Sequence, residues 1–198
     1  MAANALKAFH PITRNWFTAR YGDPTAAQAD AWPLIVEERH ILLTAPTGTG
    51  KTLAAFLWPI DQLATGLWPK GTTSVLYISP LKALNNNIQR NLLGPLAELC
   101  TCFEQAGESW HEPRVMTRSG DTSVGERRQM LRHPPEILIT TPESLNLLLT
   151  SKGGRTLLHD IRLVILDEIH AICRRLPSGW DAAPGRNRAP HAAERRSS

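Results

Sequence analysis

Residues 41–52 read ILLTAPTGTGKT, and our interpretation of the whole chain starts from them. The three aliphatic residues 41–43 predict a short buried strand, and the apolar spacing of residues 53–57 predicts a helix. A strand, a small-residue loop, Lys-Thr and a helix together form the pattern of a phosphate-binding loop. The usual form begins with glycine, whereas this chain has Ala45. The alternative interpretation is a glycine-containing turn before an amphipathic helix.

The loop contains the residue types that phosphate binding requires. Gly48 and Gly50 allow backbone angles that are closed to other residues, and they let the backbone approach an anion closely. Free N–H groups at the helix start, aided by the helix dipole, would point at that anion. Lys51 would reach the β- and γ-phosphates, and the Thr52 hydroxyl would be a ligand of Mg²⁺.

The composition is typical of a soluble globular protein. The 198 residues have room for one domain with a substantial core; 42% are hydrophobic and 20% are charged. No apolar run approaches the length of a membrane span, and residues 1–10 lack a secretory hydrophobic region. Cys100, Cys102 and Cys173 have no metal-ligand spacing, so we interpret them as reduced thiols of a cytoplasmic protein.

The net charge of +4 belongs to the C-terminal segment. From Arg174 onward there are six arginines against Asp181 and Glu194, whereas residues 1–173 are neutral. The basic balance therefore says nothing about a nucleic-acid surface on the folded part. Residues 177–198 contain no Ile, Leu, Val, Met or Phe and cannot bury a core. We predict that they form a disordered basic tail.

Apolar strands alternate with helical segments, which predicts an α/β domain with a mainly parallel sheet. The predicted strands are residues 41–43, 74–79, 114–117, 137–140 and 161–166. The predicted helices are residues 2–21, 25–36, 52–67, 84–99, 123–132 and 142–149. Four of the strands end directly in polar, glycine or proline residues, at Thr44, Ser79, Thr140 and Asp167. Ligands of open parallel sheets bind beyond the carboxyl ends of the strands, so these four clusters predict a site.

Asp167 and Glu168 directly follow the most hydrophobic of these strands. An acidic pair there suits phosphoryl transfer assisted by Mg²⁺, because one carboxylate can hold the metal and the other can orient or deprotonate the attacking water. The alternative is a solvated strand end, where acidic residues are common. The presence of a phosphate loop on another strand of the same sheet favours the catalytic interpretation.

Several stretches together resemble the motifs of superfamily 2 helicases. Residues 45–52 and 167–170 (DEIH) resemble motifs I and II, 24–28 (PTAAQ) the Q-motif, 79–84 (SPLKAL) motif Ia, 140–145 (TTPESL) motif Ib and 119–122 (SGDT) the loop between Ia and Ib. The combination is most similar to the large helicase-related (Lhr) family of bacterial ATP-dependent DNA helicases. The resemblance extends from about residue 9 to about residue 172 and implies a RecA-like domain.

The resemblance implies a role for each matched residue. Catalysis would involve Lys51, Asp167 and the catalytic base Glu168, with Thr52 and Asp167 at the metal. The residues that would bind ATP are Thr25, Gln28, Thr47, Gly48, Thr49, Gly50, Lys51 and Thr52, with Gln28 selecting adenine. Those that would bind a single nucleic-acid strand are Pro80, Leu81, Lys82, Gly120, Thr141, Pro142 and Glu143. His170 would couple the nucleotide site to a second domain.

Several of these residues have a simpler interpretation. Gln28 could be an exposed helix residue, and Lys82 a solvated lysine. Thr141 could be only the cap of the helix that it precedes, which is compatible with a phosphate contact. His170 could have a structural role. Three aromatic residues are candidates either to stack on adenine or to fill the core: Phe9, Phe17 and Tyr21.

The resemblance also implies the domain organisation. Residues 1–176 would be a RecA-like helicase ATP-binding domain that is incomplete, because the Ser-Ala-Thr sequence of motif III is missing. Residues 177–198 would be the tail. We interpret the abrupt change of composition after the DEIH box as a truncated reading frame with an out-of-frame tail. The alternative is a naturally short protein whose basic arm binds nucleic acid.

The sequence thus predicts the first RecA-like domain of an Lhr-type DNA helicase, built for ATP·Mg²⁺ and single-stranded nucleic acid, with DNA favoured over RNA. In this family a second RecA-like domain supplies an arginine finger. Hydrolysis by this chain alone should therefore be very slow, and strand separation should be absent. The alternatives are a nucleotide-dependent nucleic-acid-binding module without turnover and a vestigial product.

Overall fold

The computed structural model describes residues 5–46, 49–80, 88 and 92–169. Five residues with a predicted role lie outside these ranges: Thr47, Gly48, Leu81, Lys82 and His170. The predicted tail, residues 177–198, also lies outside them.

A four-stranded parallel sheet forms the centre of the structure. Its strands in chain order are β1 (Val75–Ile78), β2 (Val115–Arg118), β3 (Ile137–Thr140) and β4 (Leu163–Leu166). Their order across the sheet is β2-β3-β1-β4, and every pairing is parallel. All four strands therefore end at one side of the sheet, which we call the carboxyl edge. The predicted α/β fold with a parallel sheet is confirmed.

Seven helices accompany the sheet in the described residues: α1 (Pro11–Tyr21), α2 (Ala26–Val36), α3 (Lys51–Ala64), α4 (Gly94–Ala106), α5 (Val124–Arg132), α6 (Pro142–Thr150) and α7 (Lys152–Leu157). Helices α2 and α5 begin with capping boxes, formed by Thr25 with Gln28 and by Ser123 with Glu126. These reciprocal hydrogen bonds satisfy amides at the helix start, so the local sequence fixes where both helices begin. Within the described ranges, every helix is too short or too polar to cross a membrane.

Two hydrophobic clusters cover the two faces of the sheet. Because successive strand residues point to opposite faces, Val75 and Tyr77 of β1 belong to the larger cluster, and Leu76 and Ile78 belong to the smaller one. The larger cluster is completed by α1 to α4. The smaller cluster contains one buried residue from each of α5, α6 and α7: Met130, Leu148 and Leu157. The domain therefore has three layers, with helices on both faces of the sheet.

The predicted strand at residues 41–43 is wrong, because residues 41–46 form no strand. Leu42 is 75% exposed and Ile41 is 37% exposed. A short apolar run becomes a strand only when a neighbouring strand satisfies its backbone groups. None of the four described strands pairs with these residues.

Strand β4 is shorter and less buried than the predicted strand 161–166. It is an outer strand of the described sheet and pairs only with β1. Val164 is 49% exposed and Leu166 is 51% exposed. The apolar run therefore has one face on the core and one face at the surface, although its composition predicts burial on both.

Three helices differ from the predicted ranges. Helix α1 begins at Pro11 rather than at residue 2, since His10 accepts the N–H of Ile12 and proline suits the first helical position. Helix α4 continues to Ala106 and ends where Gly107 adopts a φ of 70°. The sequence predicts no element for residues 150–160, where the structure has α7. Gly154 fits there because a Cβ atom would lie 2.2 Å from the carbonyl oxygen of Leu148.

Glu136 joins the amino ends of β1, β2 and β3. Its side chain accepts hydrogen bonds from the backbone N–H groups of Gly71 (2.7 Å) and Arg114 (2.8 Å), which precede β1 and β2. Its own carbonyl oxygen accepts the N–H groups of Ser74 and Val75. Because Glu136 is only 7% exposed, water cannot easily replace its carboxylate as an acceptor.

We predict that Glu136→Ala lowers the free energy of unfolding by about 3 kcal/mol, because two buried amides lose a charged acceptor. Glu136→Gln keeps one acceptor oxygen and should cause a clearly smaller loss. Urea unfolding of the two variants and of the wild type measures both effects. An unfolding midpoint of the alanine variant equal to that of the wild type would show that the carboxylate does not hold these strand ends.

Candidate functional site at the carboxyl edge of the sheet

The predicted phosphate loop enters α3 through a position that only glycine suits. Gly50 is the N-cap of α3, its φ is 77°, and a Cβ atom there would lie 2.5 Å from Nε2 of Gln28. The left-handed backbone strongly favours glycine, and any larger residue would also require the Gln28 side chain to move. Glycine also offers no side-chain acceptor, so the N–H groups of the first turn, from Lys51 onward, have no side-chain cap. Such amides are suited to bind an anion.

Thr25 and Gln28 hold the start of α2 against this loop. The Thr25 hydroxyl donates to the carbonyl oxygen of Thr49 (3.0 Å), and Nε2 of Gln28 donates to that of Gly50 (3.4 Å). Oε1 of Gln28 accepts the N–H of Thr25 (3.0 Å). Gln28 is 3% exposed, so the interpretation of this residue as an exposed helix residue is wrong. The side-chain amide instead connects the helix start with the loop.

Lys51 turns back onto its own loop. Its Nζ donates to the carbonyl oxygen of Ala45 and, at 2.6 Å, to that of Pro46. An ammonium group has three donors, so the two carbonyls use most of its capacity. Thr52 follows Lys51 in the first turn of α3, and both side chains are half-buried. One donor of the ammonium group remains for a phosphate, and any further hydrogen bond to a phosphate requires the lysine to leave a carbonyl.

Asp167 is held in a defined orientation next to β1. Its N–H donates to the carbonyl oxygen of Ile78 (2.9 Å), which extends the β1–β4 pairing beyond Leu166. Its Oδ2 accepts the Tyr77 hydroxyl at 2.5 Å, and its Oδ1 accepts the N–H of Glu168 at 2.9 Å. Burial, together with the Asp167 carboxylate, raises the pKa of Tyr77, so the phenol stays a hydrogen-bond donor at neutral pH.

Tyr77 is a site residue that the sequence interpretation missed. It is completely buried, and a tyrosine within an apolar strand is most simply interpreted as a core residue. The available signal was its position near the end of a strand, because its hydroxyl can reach the carboxyl edge while its ring packs in the core. The partner of that hydroxyl, Asp167, lies 90 positions away in the chain.

Glu168 differs from Asp167 in conformation and exposure. Its φ is 53°, in the left-handed region that few non-glycine residues adopt. Its side chain is exposed, whereas that of Asp167 is half-buried. The turn thus separates two adjacent carboxyl groups into a fixed one and an exposed one.

Packing of Phe56 on Tyr77 connects the loop helix with Asp167. The two ring centroids are 5.0 Å apart. Only ten residues separate the end of α3 from the start of β1, so the C-terminal end of the helix lies near the amino end of the strand. Helix α3 therefore runs antiparallel to β1, and its N-terminal end is at the carboxyl edge. Lys51 lies five residues before Phe56, about 7.5 Å along the helix axis. The phosphate loop, Lys51 and Asp167 therefore belong to the same edge.

Strands β2 and β3 bring two of the predicted nucleic-acid contacts to the other end of this edge. Arg118 and Thr140 are paired at the ends of these strands, and the Thr140 hydroxyl donates to the carbonyl oxygen of Arg118 (2.9 Å). The chain beyond β2 forms the loop of Gly120, which is exposed. The chain beyond β3 continues directly into Thr141 and α6.

Thr141 caps α6, as its simpler interpretation predicts. Its hydroxyl accepts the N–H of Ser144 (3.3 Å), and Pro142 occupies the first helical position. The side chain is nearly inaccessible, because Thr141 is only 4% exposed. Glu143 in the first turn is exposed, and Pro80, which follows β1 closely, is half-buried.

The three aromatic candidates fall into two groups. Phe9 is 3% exposed and Phe17 is 0% exposed, and both belong to the larger hydrophobic cluster. Tyr21 is 46% exposed, and the guanidinium of Arg20 lies over its ring at 5.7 Å. Phe9 and Phe17 are therefore core residues, and of the three only Tyr21 has a ring at the surface.

The donor atoms at this edge suit a magnesium ion. Mg²⁺ prefers oxygen ligands, keeps several waters, and takes one or two protein groups together with the phosphates of a substrate. The carboxylate of Asp167 and the hydroxyl of Thr52 are ligands of that type. The two hydrogen bonds on Asp167 fix the direction of its carboxylate, as supporting residues do in metal sites.

The sequence matches a known protein-family model over most of its length. The DEAD/DEAH box helicase model matches residues 25–182. That range contains Gln28, the phosphate loop and both carboxylates, as well as all four strands.

Three curated relatives are Lhr helicases. The chain is 50% identical over 171 residues to the Lhr helicase/probable uracil glycosylase of Mycolicibacterium smegmatis and covers 11% of it. It is 44% identical over 171 residues to the Lhr helicase/uracil glycosylase of Escherichia coli, again covering 11% of it. It is 41% identical over 172 residues to the ATP-dependent helicase Lhr-Core of Sulfolobus acidocaldarius and covers 19% of it. These matches include 83–86% of this chain, which spans between a tenth and a fifth of the length of these relatives.

Two solved structures support the fold. The helicase Lhr of Mycobacterium smegmatis bound to ssDNA and AMP-PNP superimposes with a TM-score of 0.77 at 51% identity, over 85% of this chain and 21% of that one. The DEAD-box helicase Mss116 bound to ssRNA and UDP-BeF superimposes with a TM-score of 0.66 at 19% identity, over 87% of this chain and 34% of that one. The second match shows the RecA-like fold alone. Together with the family model and the curated relatives, the first shows that this chain belongs to the DEAD/DEAH box helicase family and is a homologue of the Lhr helicases.

Proposed function

We propose that this chain binds ATP with Mg²⁺ and a single strand of nucleic acid, as the first RecA-like domain of an ATP-dependent helicase of the Lhr type. One observation carries the proposal. The uncapped start of α3, with Lys51, and the oriented carboxylate of Asp167 belong to the same edge of one parallel sheet. An anion site and a metal-ligand carboxylate at one edge suit a nucleoside triphosphate better than any ligand that needs only one of them.

The residues of the loop would bind the phosphates. The first-turn amides of α3 supply donors, and Lys51 supplies a positive charge together with the one donor that the carbonyls of its own loop leave unused. Gln28 has its side-chain amide at the loop, so a small shift of this side chain would present a donor and an acceptor to a base. Thr52 and Asp167 would hold Mg²⁺, which supplies charge neutralisation at the transferred phosphate.

Glu168 would position or deprotonate the attacking water. Its side chain is exposed to solvent, whereas that of Asp167 is half-buried and accepts the Tyr77 hydroxyl. A difference in environment between two neighbouring carboxyl groups suits a division of roles between metal binding and base catalysis. His170 follows closely in the DEIH sequence and lies outside the described residues; by resemblance it would couple this site to a second domain.

The loops of Gly120 and Thr141 would bind the sugar-phosphate backbone of a single strand. Both lie beyond the ends of adjacent strands, and α6 begins there, so the positive end of its helix dipole is at this edge. The Lhr structure at 51% identity is bound to ssDNA, which favours DNA over RNA for this chain. The roles of Leu81 and Lys82 are proposed from resemblance alone.

Strand separation would need a second RecA-like domain in addition to this one. The residues that the structure describes form one domain of this kind. An arginine finger from a second domain typically raises the hydrolysis rate by about 10³–10⁵. Hydrolysis by this chain alone should therefore be slow, and nucleotide binding is the activity that tests the site most directly.

We predict that Lys51→Ala weakens the binding of AMP-PNP with Mg²⁺ by about tenfold or more, because a charged phosphate contact is lost. Lys70→Ala, in the exposed turn before β1, is the matched control and should bind normally. Titration with a fluorescent AMP-PNP analogue measures both. Equal affinities of the two variants, with unchanged unfolding midpoints, would exclude Lys51 from the nucleotide site.

We predict that Glu168→Gln binds nucleotide within about twofold of the wild type but loses ATP hydrolysis by roughly 10²–10⁴, because the general base is removed. Glu37→Gln, at the exposed end of α2, is the control. Phosphate release is measured with and without single-stranded DNA, and the Lys51→Ala protein defines the contaminant background. A wild type that binds ATP but stays at that background would be a binding module without turnover.

We predict that Tyr77→Phe raises the Mg²⁺ concentration needed for half-maximal nucleotide binding by about tenfold, because Asp167 loses the hydroxyl that orients it. The phenylalanine ring keeps the packing on Phe56, and binding measured in EDTA should not change. Titration of Mg²⁺ at fixed fluorescent nucleotide measures the effect. A wild-type Mg²⁺ dependence would restrict Tyr77 to a structural role.

A further inference from the structure

Two arginine side chains lie together at the carboxyl edge, next to the loop of Gly120. Arg118 is the last residue of β2, and Arg127 lies in the first turns of α5, which follows that loop. Burial and the nearby positive charge of Arg127 lower the pKa of Arg118. Both side chains are half-buried. Two positively charged residues that flank one loop are thus partly removed from water, which costs free energy unless an anion offsets it.

A hydrogen bond to the backbone of the Gly120 loop holds Arg127 in place without neutralising its charge. Nη2 of Arg127 donates to the carbonyl oxygen of Gly120 (2.9 Å), while its Nε is buried without a hydrogen-bond partner in the described structure. The nearby carboxylate of Glu126 accepts hydrogen bonds from the N–H (2.8 Å) and the hydroxyl (2.7 Å) of Ser123 instead. Within the described part of the chain, neither guanidinium forms an ion pair with a carboxylate.

The position of the pair indicates which anion it would meet. Arg118 is paired with Thr140 in the sheet, so it lies one strand away from Thr141 and the start of α6. A chain of phosphates that passes from the Gly120 loop to the start of α6 would cross the ends of β2 and β3 beside both guanidiniums. A guanidinium can donate two parallel hydrogen bonds to a phosphate group, which suits this geometry.

We propose that Arg118 and Arg127 form a phosphate clamp for the backbone of a single nucleic-acid strand that crosses the ends of β2 and β3. The inference rests on the nucleic-acid binding proposed above and adds two contact residues outside all the helicase-like motifs of this chain. The clamp contacts phosphates and not bases, so it contributes affinity that does not depend on the base sequence.

The test uses the full chain with Arg118→Gln, Arg127→Gln and the double variant. Binding of a fluorescent oligo-dT 20-mer is measured by anisotropy over a range of salt concentrations, with AMP-PNP and Mg²⁺ present. Each single substitution should make the slope of log affinity against log salt less steep by about 0.7, which corresponds to about a fivefold loss at 0.1 M salt. The double variant should lose both contacts, and a 20-mer of mixed sequence should show the same changes.

Arg132→Gln is the matched control. It removes the same charge from the same helix, but Arg132 is the last residue of α5 and lies near the amino ends of the strands, because β3 begins five residues later. Its affinity and salt slope should equal those of the wild type. Arg118→Lys and Arg127→Lys keep the charge and should restore most of the salt slope. Nucleotide affinity reports whether each variant is folded.

The possible results separate the clamp from the proposed function. Wild-type affinity and slope in the Arg118 and Arg127 variants would overturn the clamp and leave nucleic-acid binding in place. An equal loss in Arg132→Gln would also overturn it, since the effect would then be one of net charge. If the wild type binds no single strand at all, both the nucleic-acid part of the proposed function and the clamp are wrong. If a glutamine variant loses nucleotide binding, the lysine variant at the same position is compared with the wild type instead. A wild-type salt slope in this lysine variant supports the clamp. A reduced slope in a lysine variant that still binds nucleotide overturns it.

Discussion

The hydrogen-bonded register of β1 with its two neighbours determines where the candidate site residues lie. Ile78 is level with Thr140 on one side and with Leu166 on the other. The residues after these three strands therefore emerge side by side. A shift of one residue would turn Tyr77 to the opposite face of the sheet, away from Phe56 and Asp167. The hydrogen bonds between the strands therefore determine the positions of the site residues, and the polar side-chain contacts only adjust them.

This dependence explains which parts of the fold were predictable. The runs VLYI and ILIT of β1 and β3 are buried on both faces, as continuous apolar composition predicts for a parallel sheet. Residues 41–43 are just as apolar but form no strand, and β4 has one exposed face. The local composition shows that a segment can form a β-strand, but it does not show whether a neighbouring strand lies beside it. Helix α7 was not predicted, and its six residues are too few to show a helical apolar pattern.

The site was predictable where its chemistry is local. The polar clusters at the ends of β1, β3 and β4, the left-handed Gly50 and the capping role of Thr141 follow from short stretches of sequence, whereas the strand predicted before Thr44 is absent. Gln28 also had a local signal, because Thr25 and Gln28 have the spacing of a capping box. The contact of Tyr77 with Asp167 had no local sequence signal, because it depends on the order of the strands across the sheet.

The hydrogen bonds of Lys51 to Ala45 and Pro46 have a thermodynamic consequence. An incoming phosphate can use the one remaining donor of the ammonium group, but for any further hydrogen bond it has to compete with the two carbonyl oxygens. The apparent affinity for a phosphate that makes these further bonds is its intrinsic affinity multiplied by the fraction of molecules in which the lysine is released. Any second ligand that favours the released lysine would tighten phosphate binding without touching the phosphate, and the phosphate would strengthen the binding of that ligand by the same factor.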